Sequence, residues 1–351
     1  MKNHLVPKIY DFFKQNLNPP NGKQLKLYDF METIPEFHFI DDNGLPSINI
    51  SLSRYVEMLC SKMVSEGLLT DLNINKAIIL NNVYSSIYEC NFTDSNKFRR
   101  LLDYGYYDYF FNGFTYIYED FKNSVIPIIG IKDNGDEDIG TTYYIGNNIF
   151  VTAAHCILGL KKFKLQYLDG RTINIDKIAL PAHKDYNDFD LAFLYANEII
   201  NLKPFCLTEP NILDEVLVMG YPPIPGINPI LTAETASVNS IFNTKIKAAV
   251  GQVVSPANSY FSDLEFFIIN ARVKGGNSGG PVINVHGQVI GTVVQIPFDN
   301  QGGSQGGRYD IMGYGVCLPS KYIGELGQNA KCFSLVLQDG YYLRPSDLEK
   351  E

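Results

Sequence analysis

Gly275-Gly276-Asn277-Ser278-Gly279-Gly280-Pro281 sets one hydroxyl among four glycines and closes on a proline. A serine hydroxyl attacks a carbonyl only when a base takes its proton and donors hold the oxyanion that results. Glycines on both sides let backbone N–H groups come close to such an oxygen, and Pro281 stiffens the exit from the turn. The same five residues from Gly276 to Gly280 also fit a G-x-S-x-G elbow, which requires an acid and then a histidine later in the chain. The only histidine after Ser278 is His286, eight residues on, too near to fold back onto it. The base is therefore sought upstream, where Val151-Thr152-Ala153-Ala154-His155-Cys156 brings His155 to the end of an apolar run, the mark of a strand end.

Between the two lies Asn187-Asp188-Phe189-Asp190-Leu191-Ala192-Phe193-Leu194. A carboxylate that orients an imidazole belongs where a polar loop enters an apolar strand. Asp190 directly precedes the strand and is the preferred acid, with Asp188 as the alternative. Asp185 lies earlier in the polar loop and reads as solvated. The order histidine, acid, serine matches the chymotrypsin-type double barrel rather than the α/β-hydrolase sheet.

Further islands carry the same pattern: Gly140-Thr141-Thr142-Tyr143-Tyr144-Ile145, Met219-Gly220-Tyr221-Pro222, Val289-Ile290-Gly291-Thr292 and Gly315-Val316-Cys317-Leu318-Pro319. With them the chain from about Ser124 to Ala330 resembles a trypsin-like serine peptidase of the bacterial HtrA and glutamyl-endopeptidase branch. The resemblance implies an all-β, chymotrypsin-like domain of two six-stranded barrels with the active site in the cleft between them. It makes Ser278 the nucleophile, His155 the general base and Asp190 the orienting carboxylate, and it builds the oxyanion hole from the backbone N–H groups of Gly276 and Ser278. Val294, Gln295 and Ile296 map onto the strand along which a peptide substrate docks as an added β-strand. Ile296 stands where open-pocketed relatives have glycine, which implies a shallow pocket for a small or aliphatic side chain. Arg272, near the family's pocket floor, would instead pair with an acidic one. The digestive relatives have an aspartate where this chain has Asn277, so activation by a new N-terminal amine is not expected. They also bridge the cysteine after the histidine to a position that is Gly140 here.

The six cysteines show no C-x-x-C pair and no His/Cys cluster of zinc spacing, and they read as buried free thiols. No metal or cofactor is expected. Lys2, Pro7 and Lys8 interrupt the apolar core a signal peptide needs, and no later run reaches the length of a membrane span, so a cytosolic protein is expected and the Asn91-Phe92-Thr93 acceptor carries no weight. The formal charge is −9, with 11 basic against 15 acidic residues up to residue 120 and 18 against 23 after it, which is no nucleic-acid footprint.

Residues 1–120 read as a separate, mainly helical domain and residues 121–351 as the peptidase domain. Apolar residues at Leu5, Ile9, Phe12 and Phe13 predict a helix to Leu17, and further helices are expected over Ser53–Val64 with Ser53 as cap, Asn75–Glu89 and Ser95–Phe111. The aromatic run from Tyr104 to Phe121 reads as small-domain core. Nothing in this part carries chemistry, and an adaptor or sensor that docks a regulatory protein partner is the expected role. A winged helix that binds nucleic acid is the alternative, and its acidic balance speaks against it. Asp133-Asn134-Gly135-Asp136-Glu137-Asp138 reads as a hairpin turn rather than a calcium loop. Gln301-Gly302-Gly303-Ser304-Gln305-Gly306-Gly307-Arg308 is expected to be a mobile loop near the pocket. Three function classes follow: an active serine endopeptidase, a catalytically silent module that keeps the fold for binding, or a nucleic-acid-binding regulator built on the N-terminal segment. His38 and His183 have no partner pattern and read as structural or surface residues.

Overall fold

The structure, a computed structural model, describes residues 4–19, 22–40, 46–73, 82–167, 169–181, 189–222, 245–258, 264–295, 298–299, 309–310 and 314–344. The expected mobile loop at 301–308, the alternative acid Asp188, with Asp185 and His183, and the pocket residue Ile296 lie outside the described residues. The chain divides into two compact units, Met1–Gly113 and Phe114–Glu351. No helix among the described residues is long and apolar enough to cross a membrane.

In the first unit the helix Leu5–Lys14 buries Val6, Ile9, Tyr10 and Phe13, the single face that helical spacing gives them. Its first turn is capped from a distance, because Asp108 Oδ1 accepts the N–H groups of Leu5 at 2.9 Å and Val6 at 3.2 Å. The helix expected over Ser53–Val64 runs Ile50–Ser65, starting three residues earlier than its sequence suggests. Its cap is Asn49, whose Oδ1 takes the Leu52 N–H at 3.1 Å, and Ser53 instead turns its hydroxyl back to the Asn49 carbonyl. Part of the helix expected over Asn75–Glu89 is a strand, Tyr84–Ser86, paired with Leu69–Asp71. The helix expected over Ser95–Phe111 ends at Tyr104, because Gly105 takes a left-handed φ of 95° and its Cα lies against the His4 ring. A new helix then runs Tyr106–Phe121 with a break at Gly113. Val6, Phe13, Phe30, Val56, Leu59, Met63 and Leu102 share one core.

The second unit is β-rich, with two barrel-like sheets. The second of them is a closed six-stranded barrel in the order Glu215–Gly220, Lys247–Asn258, Glu265–Ile269, Gly315–Pro319, Val289–Gln295, Pro281–Asn284. Val218, Val253, Ile269, Val282, Ile290 and Val293 fill it. The first sheet holds ten strands where six were expected. Val125–Ile131, Glu137–Gly146, Ile149–Thr152, Lys162–Gln166, Ile175–Pro181 and Ala192–Ala196 form its body, with Thr172–Ile173 paired to Lys162–Gln166. The additional strands come from the end of the chain: Ala330–Ser334 pairs with Ile175–Pro181, and Tyr341–Leu343 with Lys162–Gln166. Val336–Gln338 pairs with Tyr341–Leu343, so the two ends of the sheet are separated along the chain by Leu335 alone, and its N–H donates to the Asp176 carbonyl. The sheet thereby rolls up until its ends meet, and the terminal strands cover backbone groups that an open edge would expose.

The Lys132–Asp136 segment is the expected hairpin turn, with the Lys132 N–H on the Asp136 carbonyl at 2.8 Å. Two buried tyrosines tie the sheets together. Tyr143 shares a 2.7 Å hydrogen bond with Thr292 Oγ1, and the Tyr221 hydroxyl donates to the Val125 carbonyl at 2.7 Å. Of the described cysteines, Cys60, Cys156 and Cys317 are buried free thiols, whereas Cys206 is half-buried and Cys332 is exposed on the outer face of Ala330–Ser334.

Candidate active site

The strand Ile149–Thr152 delivers His155 into a one-turn helix, His155–Leu158, at the rim of the first sheet. Asp190 sits two residues before the strand Ala192–Ala196, which pairs directly with Ile149–Thr152, so the sheet register itself brings acid and base together. Asp190 Oδ2 lies 2.6 Å from His155 Nδ1, and its Oδ1 accepts the His155 backbone N–H at 2.8 Å. One carboxylate thus fixes both the ring and its main chain. The Asp190 side chain is 17% exposed and the His155 ring 50%. Partial burial of the ring works to lower its pKa. The hydrogen bonds to Asp190 and Cys156 outweigh that loss and raise it above the ordinary imidazole value of 6.5.

The serine comes from the other barrel. Gly276 and Gly279 take left-handed φ values of 88° and 79°, which only glycine adopts without strain, and they bend the chain tightly around Asn277 and Ser278. A side chain at Gly279 would strike the Thr141 carbonyl and the Thr152 hydroxyl, so the loop packs bare backbone against the first sheet. Gly279 N–H donates to the Val293 carbonyl at 2.7 Å and Gly280 N–H to that of Asn277 at 2.8 Å. Neither the Gly276 nor the Ser278 N–H has a hydrogen-bond partner among the described residues, which leaves both available to an incoming oxygen.

Ser278 and His155 both touch the Cys156 thiol, which donates to the Ser278 carbonyl at 3.3 Å and lies 3.6 Å from His155 Nε2. Among the described residues the Ser278 hydroxyl makes no hydrogen bond to His155. Gly140 faces that thiol so closely that a β-carbon there would stand 2.9 Å from Sγ. The two positions are adjacent, as the resemblance implies, and Cys156 is free.

Residues 140–291 match the family described as Trypsin-like peptidase domain. This stretch is similar to a trypsin-like peptidase domain. A serine protease HtrA-like of Staphylococcus epidermidis is 27% identical over 175 residues, 46% of this chain and 27% of that protein. Protease Do-like 2, chloroplastic, of Arabidopsis thaliana is 29% identical over 161 residues, 45% of this chain and 24% of that protein. The chain therefore spans about a quarter of the length of these curated relatives. Among solved structures, the HtrA-type protease AlgW with tripeptide aligns at a TM-score of 0.45 and 21% identity, over 62% of each chain. A protease from M. tuberculosis in its active form aligns at 0.45 and 20%, over 61% of this chain and 83% of that one.

The expected specificity residues are less convergent than His155, Asp190 and Ser278. Arg272 is exposed just before the serine loop. Val294 is 5% exposed, so its side chain is buried and its backbone is the part left to meet a ligand. Gln295 ends the strand opposite Val316, after a register shift. Thr141 and Cys156 are the residues that sequence reading leaves without a role and the structure places against the serine loop. A threonine in a strand reads simply as a β-former, so the sequence carries no separate signal for the first.

Proposed function

We propose that the domain is a serine endopeptidase that hydrolyses peptide bonds through an acyl-enzyme on Ser278. The observation that carries this reading is the His155–Asp190 pair, 2.6 Å apart, set beside a serine whose loop offers two unengaged backbone N–H groups. Asp190 holds Nδ1 protonated, which leaves the Nε2 lone pair to accept a proton. Ser278 Oγ adds to the substrate carbonyl carbon, its proton passes to Nε2, and the carbonyl π pair moves onto oxygen. The Gly276 and Ser278 N–H groups hold that oxyanion. Collapse breaks the C–N bond, and the leaving amine takes the proton from His155. Water then repeats the sequence on the ester and frees Ser278. Nε2 lies 3.6 Å from the Cys156 thiol, and catalytic hydrogen bonds commonly tighten when substrate binds. A substrate strand runs along Val294 and Gln295, held by main-chain hydrogen bonds.

The imidazole must be neutral to act as base. Because Asp190 raises its pKa, the protonated, inactive form persists to higher pH, and kcat/KM rises as pH rises through a midpoint above 6.5. A midpoint at or below 6.5 would contradict the pairing.

The reading is tested with an unfolded protein substrate. Hydrolysis continues in excess chelator and stops on treatment with a fluorophosphonate. Loss to the chelator with indifference to the fluorophosphonate would overturn it. We assign the first unit, which has its own core, to docking a regulatory protein partner in a cytosolic setting. In the same assay the chain lacking residues 1–113 cuts at a different rate or at different sites in the presence of cell extract. An identical rate and pattern would make that unit a passenger.

A further inference from the structure

Thr141 is fully buried and makes four hydrogen bonds, all toward the serine loop or its support. Its N–H donates to the Ser278 carbonyl at 2.9 Å, and its hydroxyl donates to the Gly276 carbonyl at 2.6 Å. The same hydroxyl accepts the Tyr221 N–H at 3.2 Å, and the Thr141 carbonyl accepts the Thr152 hydroxyl at 2.7 Å. Space for it is made by glycine. A β-carbon at Gly220 would lie 3.0 Å from Oγ1, one at Gly280 3.3 Å from Cγ2 and one at Gly279 2.2 Å from the carbonyl oxygen.

From this geometry we infer that the Thr141 hydroxyl is a positioning residue for the oxyanion hole, a role that rests on the peptidase reading. A peptide unit carries its C=O and N–H on opposite sides, so pinning one aims the other. The Gly276 carbonyl is held by the Thr141 hydroxyl, with the Tyr221 N–H at 3.3 Å beside it, and the opposing Asn277 N–H turns back to Lys274. The Ser278 carbonyl is held by the Thr141 N–H and the Cys156 thiol, and the opposing Gly279 N–H goes to Val293. Both peptide units that flank the Asn277–Ser278 peptide are thus anchored in the first sheet. The middle unit has its Asn277 carbonyl on Gly280, and its Ser278 N–H is left facing the open side of the loop. The backbone N–H of Thr141 survives any substitution. The hydroxyl is the part a side-chain change removes, and with it goes the only side-chain bond on the Gly276 carbonyl among the described residues.

The test compares T141V, which keeps the shape without the hydroxyl, with T141A, which lacks both branches, and with T141S, which restores the hydroxyl. The readouts are the rate and final stoichiometry of fluorophosphonate labelling, and kcat and KM on one peptide. T141V and T141A are expected to label about 10–100-fold more slowly than wild type, the range for donors misplaced by a fraction of an ångström to one ångström. They reach the same final stoichiometry, with kcat reduced and KM within about twofold, since ground-state binding does not use the oxyanion donors. T141S returns to within about threefold of wild type on the same scale. A purely structural role would instead lower the fraction of protein that ever labels. Equal rates for T141V and wild type, with S278A unlabelled, would overturn the assignment and leave the peptidase reading standing. Failure of T141S to recover would also overturn it. Wild type that takes no label would overturn both.

Discussion

Ser278→Ala is expected to lower peptide hydrolysis by about six orders of magnitude, leaving a residual rate about 10³-fold above that in water, because the oxyanion donors and substrate contacts survive. The substitution removes only the attacking oxygen. Its loop is held by backbone bonds of Gly279, Gly280, Asn277 and Ser278 itself, none of which uses the hydroxyl. Folding is therefore unchanged, and the loss appears in kcat with KM within about twofold. A fall of only about tenfold would mean that another group supplies the nucleophile, and the Cys156 thiol, in contact with the same histidine, would be the first to examine.

Asp190→Asn is the second large effect, at about 10⁴-fold in kcat. An asparagine can still accept the His155 backbone N–H through its oxygen, so the one-turn helix keeps its anchor. The amide that replaces Oδ2 presents N–H groups to Nδ1 and forces the proton to Nε2, where it blocks the base. The charge that stabilises the imidazolium is lost as well. The His155 pKa therefore falls, and the acid limb of the residual activity moves to lower pH. Asp188→Asn is expected to stay within about twofold of wild type, because the imidazole already has Asp190 as its partner. A 10⁴-fold loss at Asp188 with little at Asp190 would contradict the observed pair.

The residues of the candidate site were legible because their signals are local and chemical. His155 closes an apolar strand, Ser278 sits among glycines whose φ values the turn requires, and Asp190 stands at a loop-to-strand boundary whose register then does the joining. What stayed hidden depends on partners distant in the chain. Ala330–Leu343 shows no clean alternation, since Val336 and Leu337 are both exposed and the strand changes partner at Leu335. Tyr84–Ser86 became a strand through its pairing with Leu69–Asp71, against a helix-like spacing. The cap at Asn49 displaced Ser53 because its amide, four residues earlier, takes the Leu52 N–H of the first turn. The break at Gly105 follows from the His4 ring, which no window around residue 105 contains. In the site, the work of Thr141 turns on a contact with residue 276 in another barrel.

The acyl-enzyme itself is the most direct object to measure. A slow-deacylating peptide ester, quenched in acid early in turnover and followed by intact mass and peptide mapping, is expected to leave its acyl group on the tryptic or chymotryptic fragment that contains Ser278, at about one per chain, and none on S278A. An acyl group on Cys156, or turnover with no covalent intermediate under conditions where the ester is consumed, would contradict the account.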